Sequence, residues 1–375
     1  MLIGIDASRA VTGQRTGTEA YAYYLTCGLI PLAQARGHQL RLYFNTEPPD
    51  NLFPSSVEQV VIPWPRLWTH VRLAVELHRR PPDVFFTPAH VIPLTYRGPS
   101  VATVHDVGFF VFPGAHTRRQ VAYLRWSTGH NARRARYLLA DSRATRTDLV
   151  RFYDAQPAKI VVVYPGIDPT LAPVQDPDVL QTTQRRYGIR PPYFLYIGTV
   201  QPRKNLNRLI DAYVASEVPH QLVIAGKAGW LAQTIVENAF TYQGQAANNI
   251  VMPGYVPDED KAALISGAEA LLYPSLYEGF GFPVLEAQAC GTAVLCANTS
   301  SLPEIAGEGA LLVDPLDTDN LTQSIRRLAT DEDLRRTLAA QGQENVRRFD
   351  WNTAACQVLD VLEQAAAPNQ VSPVD

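Results

Sequence analysis

Glu278-Gly279-Phe280-Gly281-Phe282-Pro283-Val284-Leu285-Glu286 lies between an apolar run, Ala270 to Tyr273, and a stretch with helical spacing from Pro283 to Ala289. A short branched strand, a glycine-rich turn and a helix, in that order, form the unit from which parallel sheets are built. Pro283 suits the first helical turn, where its missing N–H has no partner in any case, so the amides from Gly279 to Phe282 point out of the helix N-terminus. Such an end attracts anions and can donate to phosphate or hydroxyl oxygens, and the glycines let the backbone approach a ligand closely. Glu286 would stand one turn below this loop and Glu278 on its far side, so two carboxylates frame one small site. Taken alone, the spacing also fits a Glu286 that complements the helix dipole and a Glu278 that is solvated; the neighbouring motifs decide between the two.

The same alternation extends in both directions. In the first half the candidate strands are residues 2 to 5, Leu40 to Phe44, Val57 to Ile62, Val84 to Phe86, Val101 to Val104, Tyr137 to Ala140 and Ile160 to Val163. Helical patterns cover Glu19 to Ala35, Thr117 to Arg134 and Thr145 to Tyr153, the last capped by Asp141-Ser142. The second half restarts with strands Tyr193 to Ile197, Gln221 to Ala225, Ile250 to Met252, Ala270 to Tyr273, Ala293 to Cys296 and Ala310 to Val313, and closes with three helices from Asp317 onward. A chain of 375 residues exceeds the usual span of one core, so two α/β domains are expected. The proline-rich, polar stretch from Pro165 to Pro192 is the linker candidate. The expected division is 1–168, a linker at 169–192, a second domain at 193–350, and a final helix with a frayed tail from Ala365 in 351–375. The last helix, Trp351 to Ala365, has an apolar face that must dock, and the first domain is where it is placed.

A formal charge of -3 excludes the basic excess of a nucleic-acid binder. The four cysteines, Cys27, Cys290, Cys296 and Cys356, lack metal-ligand or secreted-scaffold spacing and read as reduced thiols. The N-terminus enters a strand at once and no apolar stretch reaches spanning length, so a cytoplasmic protein is expected.

Further motifs fall at the carboxyl ends of expected strands, the edge where ligands bind in open α/β sheets. Gly198-Thr199-Val200-Gln201-Pro202-Arg203-Lys204-Asn205 places two cations there, and Arg203 and Lys204 can neutralise a diphosphate. His105-Asp106 follows strand Val101 to Val104, where an imidazole can hydrogen-bond a ligand near neutral pH. Arg15-Thr16-Gly17-Thr18-Glu19 is the loop between the first strand and first helix, and Gly226-Lys227 and Gly254-Tyr255-Val256 follow two strands of the second half.

Taken together, E-x7-E, the P-R-K-N turn and these strand-end segments resemble the retaining GT-B glycosyltransferases of family 4, the group 1 glycosyltransferases, and are mannosyltransferase-like. The resemblance implies two facing Rossmann-like domains with parallel sheets, a nucleotide-diphosphate sugar held mainly by the second, and an acceptor on the first. It implies that Glu278 touches hydroxyls of the donor sugar, that Gly279, Phe280, Gly281 and Phe282 contribute backbone amides, and that Glu286 holds the ribose. Arg203 and Lys204 become the diphosphate clamp, Gly17 approaches the donor phosphates, and Gly226, Lys227, Tyr255 and Val256 line the nucleobase pocket. His105 becomes an active-site residue whose ring Asp106 orients, or Asp106 receives the acceptor. Transfer with retention and without a metal or other cofactor is implied, with mannose from GDP-mannose favoured and a glycan or lipid-linked molecule as acceptor.

Two other classes fit the same architecture. A nucleotide-sugar 2-epimerase would exchange the hydrogen at the sugar's second carbon without an acceptor, and a non-catalytic sugar-nucleotide-binding protein would bind a donor without consuming it. Peripheral membrane contact is a further expectation: Arg118, Arg119, Arg125, Arg133, Arg134 and Arg136, with Trp126 and Phe109 to Phe112, could meet anionic headgroups, although a solvated helix face gives the same pattern.

Overall fold

The computed structural model describes residues 1–12, 17–64, 66–115, 117–229 and 249–367, together with 232, 233, 235 and 237. These residues form two compact units. The first comprises Met1–Val107, Ala122–Gly166 and the chain from Phe349 onward; the second comprises Gly108–Val121 and Ile167–Arg348.

In the first unit the apolar runs pair as a parallel sheet of β1 (Leu2–Asp6), β2 (Gln39–Phe44), β3 (Glu58–Val61), β4 (Val84–Thr87), β5 (Ser100–Val104), β6 (Tyr137–Ala140) and β7 (Ile160–Val162), in the order β3-β2-β1-β4-β5-β6-β7. Its central strands are apolar without alternation, because both faces are covered; Val84, Phe85 and Phe86 are fully buried. The second unit repeats the plan with β8 (Tyr193–Ile197), β9 (Gln221–Ala225), β10 (Ile250–Gly254), β11 (Ala270–Tyr273), β12 (Ala293–Ala297) and β13 (Leu311–Val313), ordered β10-β9-β8-β11-β12-β13. Each sheet grows outward in one direction and then jumps back beside its first strand. The jump leaves a crevice at the carboxyl ends of β1 and β4 in one unit and of β8 and β11 in the other, which is where doubly wound sheets bind ligands.

The C-terminal helix, Trp351–Ala366, returns to the first unit. Asp350 caps it by accepting from the Thr353 amide at 2.8 Å, and Leu359, Leu362 and Ala365 are fully buried. Trp351 stacks on Tyr24 of the first helix, Gly17–Ala35, with centroids 5.5 Å apart, and meets Tyr21 edge-on at 5.8 Å. Arg36 then pairs with Asp360 and Glu363 at 2.6 and 3.1 Å. Ala365, expected to begin a frayed tail, is therefore a packed helical residue whose carbonyl accepts from Arg136 at 2.8 Å. Residues 368–375 lie outside the described residues.

The stretch expected as a linker holds a helix, Pro177–Arg186. Asp176 caps it by accepting from the Asp178 amide, with Pro177 in the first turn, and Arg186 and Tyr187 anchor it to Asp260 at 2.6 and 2.5 Å. Its composition is mostly polar, so the periodic signal that marks the other helices is weak there. Among the described residues no helix is long and apolar enough to cross a membrane.

Gly166 sits directly under Trp351: a Cβ at this glycine would lie 2.5 Å from the Trp351 amide nitrogen and 2.6 Å from its Cγ. Gly166→Ala should therefore destabilise the protein by about 1–3 kcal/mol through overpacking, read as a lower urea midpoint in tryptophan fluorescence. An unchanged midpoint would mean that the final helix is not seated by this contact.

Candidate functional site

In the second unit both charged motifs follow the two strands that flank the crevice. Pro202–Lys204 forms a single 3-10 turn after β8, ended by Asn205 in the left-handed region at φ 61°. The Asn205 side-chain amide donates to the carbonyls of Pro274 and Pro315 at 3.1 and 2.7 Å, and the Leu276 amide donates to the Arg203 carbonyl at 3.0 Å. The turn after β8 and the loop after β11 are thus one hydrogen-bonded body.

Within it, Arg203 donates to Glu278 Oε2 at 2.9 Å, and Lys204 Nζ donates to Glu278 Oε1 at 2.5 Å and to the Tyr273 hydroxyl at 2.6 Å. Glu278 and Lys204 are 6% and 7% exposed, so this is a buried cluster. Burial pushes the Glu278 carboxyl up, but the charges of Arg203 and Lys204 outweigh it and bring its pKa down from 4.5 to about 2. The family resemblance implies sugar hydroxyls as partners of Glu278; here both of its oxygens accept from Arg203 and Lys204, because a carboxylate removed from water needs opposite charge beside it.

The remainder of the loop is shaped by backbone constraints. Gly281 has φ 122°, and a Cβ there would lie 2.8 Å from Leu302 Cδ2. The Ser301 hydroxyl bridges the Glu278 and Phe280 carbonyls at 3.0 and 2.6 Å, and the Glu278 amide donates to Ser300 Oγ at 2.9 Å. The helix Phe282–Ala289 follows, with Pro283 in its first turn and Gly281 before it. Phe280 is buried edge-on to Phe282 at 4.9 Å, and Gly279 is buried beside it. Glu286, on the same helix, accepts from Lys261 Nζ at 2.5 Å. Burial lowers the Lys261 pKa, yet Glu286, with Asp258 and Asp168 adding, carries it above its ordinary value.

The carboxyl ends of β8, β9 and β10 come together through Gly198, Gly226 and Gly254, with φ 146°, 148° and 79°. A side chain on Gly226 is impossible, since its Cβ would fall 1.9 Å from the Gly198 carbonyl oxygen. Lys227 Nζ lies 4.6 Å over the ring of Tyr255, a half-exposed cation–π pair, whereas the Val256 side chain belongs to the core.

In the first unit, His105 links three neighbouring strand ends. Its Nδ1 donates to Asp141 Oδ2 after β6 at 2.6 Å, its Nε2 donates to the Pro88 carbonyl after β4 at 2.9 Å, and Tyr21 packs edge-on at 4.7 Å. Both ring partners accept, so both nitrogens carry protons in this arrangement. Burial lowers the His105 pKa, but the Asp141 charge and hydrogen bond raise it further than burial lowers it. Asp141, not Asp106, therefore orients the ring. Asp141 was expected to share the cap of the next helix, but Ser142 alone accepts from the Thr145 amide there, at 3.0 Å, which leaves Asp141 to the imidazole.

Gly17, expected in a loop, is the exposed first residue of the first helix, and Glu19 on that turn pairs with Arg9 at 3.4 Å. Arg15 and Thr16 lie outside the described residues. Of the arginine-rich region, Arg118, Arg119, Arg125 and Arg133 are exposed, as is Trp126. Arg134 and Arg136 instead donate to the Tyr96 and Ala365 carbonyls, and Phe109 is buried. Two site partners had no local sequence signal: Lys261 and Asp141 stand 25 and 36 positions from the groups they hold.

A family profile described as "Glycosyl transferases group 1" matches residues 181–345, and one described as "Glycosyltransferase Family 4" matches residues 15–171. The chain is 31% identical over 268 residues to O-antigen chain mannosyltransferase B of Escherichia coli, covering 70% of this chain and 70% of the relative. Among solved structures, sucrose-phosphate synthase from Thermosynechococcus elongatus matches with a TM-score of 0.76 at 19% identity, over 97% of this chain and 98% of that one. Anabaena HepE in complex with UDP and glucose matches with a TM-score of 0.74 at 19% identity, over 96% and 99%. These two likenesses carry the fold.

Two predictions test the electrostatics. Glu278→Gln strands two buried cations and should cost about 3–5 kcal/mol in urea denaturation at pH 7. Because the folded pKa is depressed, the carboxylate's stabilisation is complete above pH 4.5 and is lost as pH falls toward about 2, so the gap between wild type and variant should narrow at acid pH. A gap that stays constant would contradict the pairing. Asp141→Asn should lower the His105 pKa, since burial is then opposed only by the Pro88 hydrogen bond and the Asp106 charge; NMR titration of the ring protons reads this. With the raised pKa, the stabilisation from His105 is full below the unfolded value and disappears as pH rises through the folded one, a pH dependence the variant should lose.

Proposed function

This chain belongs to the group 1 glycosyltransferases, with the Rossmann-like domains of the GT-B fold, and on that premise we propose that it transfers mannose from GDP-mannose to a growing glycan or lipid-linked acceptor, with retention and without a metal. The observation that carries the donor site is the buried Glu278, Arg203 and Lys204 cluster at the carboxyl ends of β8 and β11. Two cations against one carboxylate leave a net positive charge in a site sheltered from water. A sugar diphosphate is the ligand class that uses such a charge, and fixed cations stabilise the negative charge that develops on the leaving diphosphate.

In this reading Arg203 and Lys204 meet the diphosphate and Glu278 keeps them in place. The amides of Gly279, Phe280, Gly281 and Phe282 meet the hexose, and Glu286, held by Lys261, accepts from the ribose. Gly226, Lys227 and Tyr255, with the Val256 backbone, receive the base. His105 donates to the hexose or to the incoming hydroxyl by exchanging its bond to the Pro88 carbonyl, Asp106 receives the acceptor, and the Gly17 amide approaches the phosphates. The sugar–phosphate bond breaks as the acceptor oxygen bonds the same carbon on the same face. The acceptor's proton passes to the leaving phosphate oxygen, so no side chain needs to form a covalent intermediate. The mannosyltransferase relative supports the choice of sugar, and its O-antigen chain supports a polysaccharide acceptor.

The test is calorimetry and donor hydrolysis in EDTA with GDP-mannose, UDP-glucose, ADP-glucose and dTDP-glucose, with Glu286→Gln and Lys204→Met as controls. GDP-mannose should bind selectively, both substitutions should weaken it at least about tenfold, a charge-assisted hydrogen bond each, and mannose should be released slowly with its anomeric configuration retained. Preference for another donor would overturn the sugar assignment, a requirement for divalent cation the metal-free chemistry, and exchange at the sugar's second carbon the transfer itself.

A further inference from the structure

The loop at 278–282 is held a second time, by two serines that follow β12. Ser300 has φ 53°, a left-handed backbone conformation that strains a residue with a side chain. Asp154 and Glu217 adopt it where their amides close the last turn of a helix. Ser300 ends no helix: it lies between β12 and the short helix Leu302–Ala306. What its conformation places is a hydroxyl oxygen 2.9 Å from the Glu278 amide, which donates to it. Glycine at this position would carry no strain, as at Gly281 across the contact.

Each of these bonds fixes a peptide plane. The peptide joining Tyr277 to Glu278 is held at both ends, its carbonyl by Arg203 and its amide by Ser300. The fully buried Ser301 hydroxyl shares its proton between the carbonyls of Glu278 and Phe280, at 3.0 and 2.6 Å. In a trans peptide the carbonyl and the amide that follows it point in opposite directions. With the Glu278 and Phe280 carbonyls drawn inward to Ser301, the amides of Gly279 and Gly281 are therefore turned outward. Donors aimed in this way before a ligand arrives need no reorganisation during the reaction.

We propose, resting on the donor site assigned above in which those amides meet the hexose, that Ser300 and Ser301 are positioning residues for the transfer. They touch no donor atom; they aim the Gly279 and Gly281 amides at the hexose, and Ser300 holds a strained backbone to do so.

Ser300→Gly separates positioning from stability, because glycine removes the hydroxyl and the strain together. The full-length variant is compared with wild type in urea denaturation, in calorimetry with GDP and with GDP-mannose, and in hydrolysis of GDP-mannose in EDTA. The urea midpoint and the GDP affinity should match wild type, since relief of strain offsets the lost bond and GDP lacks the hexose. The kcat for hydrolysis should fall about tenfold with KM little changed, as expected for one hydrogen bond felt in the transition state. Ser301→Ala should show the same split with a larger loss, and Ser301→Thr, which keeps the hydroxyl, should recover most of the rate. Wild-type turnover in Ser300→Gly would overturn the assignment, and so would a loss of GDP affinity in step with the loss of rate, which would make the serines structural only. Failure of the wild-type protein to bind either GDP or GDP-mannose would instead overturn the donor site itself, and this role of the serines with it.

Discussion

The buried contact of Glu278 with Arg203 and Lys204 governs the second unit. It ties the turn after β8 to the loop after β11, the two strands on either side of the crevice, and each partner is tolerable out of water only because the others are present. Around it, the Asn205 side chain, the Leu276 amide and the Ser301 hydroxyl fix the two loops by hydrogen bonds to backbone. The cluster therefore sets the shape of the crevice floor as well as its charge. A phosphate-binding site needs cations that do not have to reorganise when the ligand arrives, and a carboxylate that pre-orients them is one way to provide this.

The first unit applies the same logic with a different ion pair. His105 is pinned between strand ends on both sides, to Asp141 after β6 and to the Pro88 carbonyl after β4. Its charge is stabilised by a carboxylate that is itself nearly fully buried, and one oxygen of that carboxylate has no partner among the described residues. In both units, then, the residue with apparent chemical potential in the sequence is held by a partner from a neighbouring strand end. Parallel sheets make this natural, since successive carboxyl edges lie side by side whatever their separation in the chain.

That also explains what the sequence disclosed. Strands, closing helices and the glycine turn are local patterns, and each expected strand from Leu2 to Val313 has its counterpart in the sheets. The glycines at 198, 226, 254 and 281 are legible because glycine is favoured where φ is positive, and at Gly226 the backbone of Gly198 also leaves no room for a side chain. Partners were not legible. Asp141 precedes a serine at a helix start and reads as a cap, Lys261 sits in a helix with three acids in its first turn, and the cations that meet Glu278 lie 75 and 74 positions away. The helix Pro177–Arg186 was hidden by polarity, and Ala365 by its place near the chain end.

The ionisation of Glu278 limits the chemistry available to it. A carboxyl whose pKa lies about 2 is an anion at any pH where the protein would work, so it cannot donate a proton, and as a base it is too weak to take one from a sugar hydroxyl. With both oxygens bonded to cations it is also poorly placed to attack an anomeric carbon. Its negative charge instead offsets part of the charge of the two cations. In the transfer we propose, the acceptor's proton must then go elsewhere, and the phosphate oxygen that leaves would be the base formed at the moment and place it is needed. Under the proposed transfer Arg203 and Lys204 would stabilise that oxygen as it separates, so holding the cations and moving the proton would fall to different groups.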